Sequence, residues 1–198
     1  MPRGSLELNL ADSGITELLG QALAHALIRA APPASQGGPP GAVLYLHGEL
    51  GAGKTTCVRS LLRTLGAAGP VRSPTYALVE TYRLGAWTCV HADLYRLQSE
   101  VEVDELGLRD LVGPGCLLMV EWPEKGGAAV PPADVDLTLR YLGDGREAGR
   151  DGHEVAREGC EARDGRQALL NAATPFGSTW LLNLGLDTSL SFYLSNLT

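Results

Sequence analysis

Lysine is nearly missing. Of 16 basic residues in 198, only Lys54 and Lys125 are lysines. A chain that uses Arg almost everywhere keeps Lys where a compact ammonium is needed and a planar guanidinium does not fit. Long apolar runs are lacking too: no stretch approaches the ~18 consecutive apolar residues of a membrane span. No charged-then-apolar leader opens the chain, so neither export nor membrane insertion is expected. The net charge of −7 argues against a large sequence-independent hold on DNA or RNA by this chain alone, because such binding needs many cations facing phosphates. It leaves room for a local basic patch only. Four cysteines (Cys57, Cys89, Cys116, Cys160) form no C-x-x-C pair, which argues against a zinc site. It fits reduced thiols in a cytoplasmic protein.

What is present is a chain 44% hydrophobic, enough to bury one core, and its length favours one domain with appendages. Gly48-Glu49-Leu50-Gly51-Ala52-Gly53-Lys54-Thr55 is a complete G-x-x-x-x-G-K-[ST] loop, preceded by the apolar strand pattern Ala42 to Leu46 that such a loop follows. Glycines let the backbone turn so that successive N–H groups face phosphate oxygens. Lys54 then reaches the outer phosphates, facing solvent when no ligand is bound, and the Thr55 hydroxyl reaches Mg²⁺. The expectation is ATP with Mg²⁺, held by residues Glu49, Leu50, Gly51, Ala52, Gly53, Lys54, Thr55 and Thr56.

Leu6, Leu8 and Leu10 alternate with polar residues as a short strand, after which Asp12 or Ser13 caps a helix with Ile15, Leu18, Leu19, Ala22, Leu23, Ala26 and Leu27 on one face. Pro32 to Gly41 reads as a flexible connector. The phosphate loop's strand and helix (Ala42 to His47, Lys54 to about Leu65) come next. A hairpin follows, Tyr76 to Tyr82 with Trp87 to Ala92, turning at Arg83-Leu84-Gly85. A short acidic helix over about 100–112 precedes the apolar run Cys116 to Val120, a strand buried on both faces. Alternation over Val135 to Tyr141 reads as a half-exposed edge strand. The fold class is α/β, a three-layer fold of P-loop NTPase type with a mostly parallel central sheet. Its core spans 1–142, followed by a charged, partly ordered segment at 143–173 and an atypical apolar tail at 174–198.

Asp93 and Glu121 each stand at the end of a strand candidate, where a P-loop site needs carboxylates to hold Mg²⁺ or orient the attacking water. With Thr55 they are the candidate metal ligands. Ser73-Pro74-Thr75-Tyr76 occupies the place of a switch loop whose Thr75 senses the γ-phosphate. Lys54, Thr75, Asp93 and Glu121 are therefore the candidate catalytic residues.

Five motifs in order carry a resemblance: the phosphate loop through Thr56; Ser73 to Tyr76 with Leu78-Val79-Glu80; His91-Ala92-Asp93-Leu94-Tyr95-Arg96-Leu97; Gly107-Leu108-Arg109-Asp110; and Val120-Glu121-Trp122-Pro123-Glu124-Lys125-Gly126. Over roughly Thr16 to Leu142 the chain resembles the TsaE (YjeE) family of small bacterial ATPases that support synthesis of threonylcarbamoyladenosine beside the tRNA anticodon. The resemblance implies ATP hydrolysis that resets a complex of the TsaB and TsaD subunits, with tRNA engaged through that complex. From charge and hydropathy, no contact with DNA or membrane is expected. The resemblance also implies that Thr16, in Thr16-Glu17-Leu18-Leu19-Gly20, lies near the nucleotide. The connector before Gly41 and the tail after Ala173 exceed the usual family outline, and Trp122 serves packing, a partner or the site.

Two other readings compete. A small-molecule P-loop kinase would use Arg146, Arg150, Arg157, Arg163 and Arg166 as a phosphate-clamping lid; the motif order after the loop argues against it. An ATP-gated binding subunit would hydrolyse little on its own and act by ordering a switch surface.

Overall fold

The computed structural model describes residues 4–32, 38–142 and 165–194. Residues 1–3, the connector's 33–37, the stretch 143–164 with four of the five candidate lid arginines, and 195–198 lie outside the described residues. Polar alternation makes β1 (Ser5–Leu10), with Leu8 and Leu10 turned inward. Asp12 ends it and caps α1 (Ser13–Ala30), its carboxylate accepting from the Ile15 N–H at 3.0 Å, which satisfies one of the free donors of a helix start. The order then runs β2 (Ala42–His47), α2 (Lys54–Thr64), β3 (Val79–Leu84), β4 (Trp87–Asp93), α3 (Glu100–Asp104), β5 (Cys116–Glu121), β6 (Val135–Tyr141), β7 (Arg166–Ala172) and α4 (Pro175–Gly185).

Seven strands form one sheet in the order β1-β7-β6-β2-β5-β4-β3. The four inner strands, β6, β2, β5 and β4, run parallel, while β1, β7 and β3 add antiparallel margins. This is the expected α/β architecture, with a mixed rim around a parallel centre. Alternate residues of a strand face opposite sides, so Leu117 and Met119 join the cluster under α1, α2 and α4, whereas Leu118 and Val120 join the one beneath α3 and the turns around it. Both faces of β5 are thus covered, which explains its unbroken apolar run.

Several local expectations need correction. β3 starts at Val79 rather than Tyr76, because Leu78 adopts φ 64 and the segment before it is a turn. The hairpin bends at Gly85-Ala86, with Leu84 paired to Trp87. α3 stops at Asp104, and the chain continues in turns past Gly107, whose φ of 62 a helix does not tolerate. β6 is not an edge strand: β7 pairs along its whole length. The sheet therefore does not end near Leu142. The apolar tail, in its described part, packs on the core: Thr174 caps α4, and Trp180, Leu181 and Leu184 are buried against the main cluster.

Trp180 is fully buried and its indole N–H donates to the Leu23 carbonyl of α1 at 2.9 Å. Trp180→Ala is expected to cost about 3–5 kcal/mol, the range for emptying a large aromatic site. Denaturant unfolding measures it; a loss below ~1 kcal/mol would show that α4 contributes little to the folded chain.

Candidate nucleotide site

The carboxyl ends of β2, β5 and β4 meet at one edge, because parallel register sets Leu46 beside Glu121 and Glu121 beside Asp93. The loop from Gly48 to Gly53 leaves β2 at this edge. Gly48 and Gly53 take φ values of 135 and 106, and a Cβ on Gly48 would lie 2.3 Å from the Leu139 carbonyl oxygen, so only glycine fits there. Gly53 caps α2 with no side chain covering the helix start. Its free N–H groups therefore face the loop's concavity, the arrangement that attracts phosphate.

Around this cradle lies a pocket of about 360 Å³, lined by Leu50, Gly51, Gly53, Lys54, Thr55, Thr56, Ser73, Thr75, Asp93, Tyr95, Arg96, Glu121 and Trp122. Lys54 does not face solvent as expected. It is 4% exposed, and its ammonium donates to the Gly48 and Glu49 carbonyls at 2.6 and 2.9 Å while lying 3.9 Å from the centre of the Trp122 ring. Burial pulls its pKa below the ordinary lysine value, opposed by Glu121, Asp93 and Glu124. A cation satisfied only by two carbonyls and a ring is ready to exchange them for phosphate oxygens.

The Thr55 hydroxyl donates to Glu121 at 2.8 Å to Oε1 and 3.1 Å to Oε2. On Asp93, Oδ2 accepts from Thr75 at 2.7 Å and from Ser73 at 3.1 Å, while Oδ1 accepts from the Tyr95 N–H at 3.1 Å. The candidate switch residue is thus tied directly to a candidate metal-binding acid, from a loop whose Tyr76 is 87% exposed. Thr16 is buried in α1 with its hydroxyl donating to the Asp12 carbonyl, and its methyl would lie 3.1 Å from a Cβ on Gly53. It abuts the loop's end. Of the five candidate lid arginines, only Arg166 falls within the described residues; it opens β7 close to Gly53, with its guanidinium 5.5 Å from the Tyr141 ring centre.

The donors fit Mg²⁺. A hydroxyl and two carboxylates are hard oxygen ligands, and Mg²⁺ in such sites is held by one or two carboxylates together with substrate phosphates rather than by an all-protein cage. Among the described residues no group of three or more His, Cys, Asp and Glu forms such a cage. Nearby Cys57 is pushed up to about 12 by burial and by Glu121, which keeps it a thiol and makes it a poor nucleophile. Sequence reasoning did not single out Ser73 or His91 as site residues, although His91, two positions before Asp93, shares its side of β4.

The family described as "Threonylcarbamoyl adenosine biosynthesis protein TsaE" matches residues 11–149. The chain belongs to the TsaE family. Relatives carrying the name tRNA threonylcarbamoyladenosine biosynthesis protein TsaE include that of Haemophilus influenzae, 42% identical over 104 residues, covering 52% of this chain and 66% of that protein. That of Synechocystis is 39% identical over 128 residues, covering 63% and 74%. That of Bacillus subtilis is 34% identical over 105 residues, covering 53% and 65%. The crystal structure of Bacillus subtilis YdiB superposes with a TM-score of 0.67 over 93% of this chain and 97% of that one at 22% identity, which supports the shared fold. No described helix of this TsaE family member is long and apolar enough to cross a membrane.

Beside the loop, His47 at the end of β2 is bracketed by two acids, Nε2 3.3 Å from Asp136 and Nδ1 3.2 Å from Glu124. The bond to Asp136 raises its pKa above 6.5, Glu124 adds to this and burial opposes it. A raised folded pKa contributes stability that is complete below the unfolded value and lost as pH rises through the folded one. The stability gap between wild type and His47→Gln is expected to be larger at about pH 5.5 than at about pH 9, because the unfolded histidine titrates near ~6.5. Denaturant midpoints at both pH values measure it; an equal gap would show that the charged bracket contributes nothing.

Proposed function

We propose that this chain is a Mg²⁺-dependent ATPase that supports formation of threonylcarbamoyladenosine on tRNA, working with a TsaB–TsaD pair rather than carrying out the transfer itself. The observation that carries the reading is the meeting of a complete phosphate loop, Thr55, Glu121 and the Thr75–Asp93 pair around one pocket. Family membership supplies the pathway, and the net charge of −7, which disfavours a large sequence-independent hold on RNA by this chain alone, supports contact with tRNA through partners.

In this reading the loop's N–H groups and Lys54 bind the phosphates, Lys54 leaving the Gly48 and Glu49 carbonyls to do so. Bound Mg²⁺ supplies charge neutralisation on the β- and γ-phosphates. Thr55, Asp93 and Glu121 hold it, and one of the acids orients the attacking water. Thr75 gives up Asp93 when a γ-phosphate is present, which moves the exposed Ser73–Tyr76 loop and alters the surface offered to a partner. The same contact suits ATP gating with little intrinsic hydrolysis, so hydrolysis is best measured with the partners present.

Lys54→Ala is expected to cut hydrolysis in the partner complex by more than about tenfold, equivalent to ~1.4 kcal/mol of barrier, with the fold preserved by circular dichroism. Retention of most of the wild-type rate would remove Lys54 as the phosphate clamp. Asp93→Asn and Glu121→Gln should lower turnover more than ATP affinity, since they act on metal and water. Normal hydrolysis by both variants would make the two acids structural.

A further inference from the structure

Below the phosphate cradle is a buried imidazole that none of these roles uses. His91 of β4 is 0% exposed. Its Nε2 lies 2.9 Å from Glu121 Oε1, while its Nδ1 is buried with no hydrogen-bond partner among the described residues. Buried polar atoms are almost always paired. A histidine kept here at the cost of one unpaired nitrogen, between apolar neighbours such as Cys89 and Met119, is held for the bond its other nitrogen makes.

That bond fixes one side of Glu121. Oε1 faces both His91 at 2.9 Å and the Thr55 hydroxyl at 2.8 Å, whereas among the described residues Oε2 has only the longer contact with Thr55 at 3.1 Å. With the proton on Nε2, the imidazole donates to the carboxylate and stops it from rotating about its terminal torsion, which is otherwise soft. The register reinforces this. Asp93 pairs with Glu121 across the β4–β5 ladder, and His91 sits two residues before Asp93 on the same sheet face. The β4–β5 register therefore sets the histidine and both acids in one group, which Thr55 of α2 joins through its bonds to Glu121.

We infer that His91 is a positioning residue that pins Glu121 Oε1, leaving Oε2 aimed at the metal and water of the nucleotide pocket. The inference rests on the Mg²⁺-ATP reading of this site. His91 touches neither metal nor nucleotide itself. It acts through the carboxylate, as outer partners of metal ligands do when they orient the ligand.

Side-chain amide substitutions separate positioning from packing. The amide nitrogen of Gln falls near Nε2 of the histidine it replaces, and that of Asn falls near Nδ1. The affinity of the full chain for a non-hydrolysable ATP analogue is measured with Mg²⁺ and with EDTA, beside thermal unfolding, for wild type, His91→Gln, His91→Asn and His91→Leu. His91→Leu and His91→Asn are expected to lower the affinity gain from Mg²⁺ by about 10- to 100-fold, the usual effect of losing such a partner. Affinity in EDTA is expected to stay as in wild type, and His91→Gln to recover most of the Mg²⁺ gain. Should His91→Leu fail to fold, the contrast between Gln and Asn decides alone. Equal Mg²⁺ gains for Gln and Asn variants, whatever their melting temperatures, would overturn the positioning role and leave His91 as packing. Absence of Mg²⁺-dependent analogue binding by the wild type would instead overturn the ATPase reading from which the inference starts.

Discussion

Desolvation of charge governs this molecule. Lys54, His91, Asp93 and Glu121 are all withdrawn from water at the carboxyl edge of the sheet. Placing ionisable groups there is costly unless each finds partners. They find them in one another, in neighbouring hydroxyls and in the nearby backbone: Lys54 in two loop carbonyls, Glu121 in Thr55 and His91, Asp93 in Ser73, Thr75 and the Tyr95 N–H. Every one of these bonds involves a group that the proposed ligands would claim: Lys54, Thr55, Asp93 or Glu121. The network is thus built around groups that phosphate and Mg²⁺ would engage. Its parts are held in place by the parallel register of β2, β5 and β4, which the covered faces of the sheet keep rigid.

Much of this was legible in the sequence because the signals were local. The phosphate loop is contiguous, and the apolar runs ending in Glu121 and preceding Asp93 announce strand ends directly. Strand neighbours are not local. The alternation of Val135 to Tyr141 shows one face in and one face out, but it says nothing of what pairs beside it, so an inner strand read as an edge. Its partner β7 lies beyond a Gly-rich charged stretch with no period of its own. α4 had a signal that went unused: Thr174 followed by Pro175 is an N-cap and first-turn pair, ahead of Trp180, Leu181 and Leu184 at helical spacing. The burial of Lys54 was beyond sequence reading, since its partners are backbone carbonyls that any residue would provide.

Trp122 shows how local strain and charge burial are joined. It follows Glu121 directly and adopts φ 59 and ψ 47, a left-handed conformation that costs a non-glycine residue on the order of 1–2 kcal/mol. That turn carries the indole back over the site. There the ring meets the Lys54 ammonium at 3.9 Å and the Tyr95 ring at 5.1 Å, a cation–π contact made stronger by exclusion of water. The backbone N–H of Trp122 also donates to Leu46 of β2 at 3.2 Å, so the strained residue is anchored to the strand that feeds the loop. In the proposed reading, a phosphate that drew Lys54 away would remove the charge that helps offset the strain. Lys54, Trp122 and Tyr95 therefore pack as one group, and in the proposed reading a phosphate that engages the lysine would also act on the aromatic rim of the pocket.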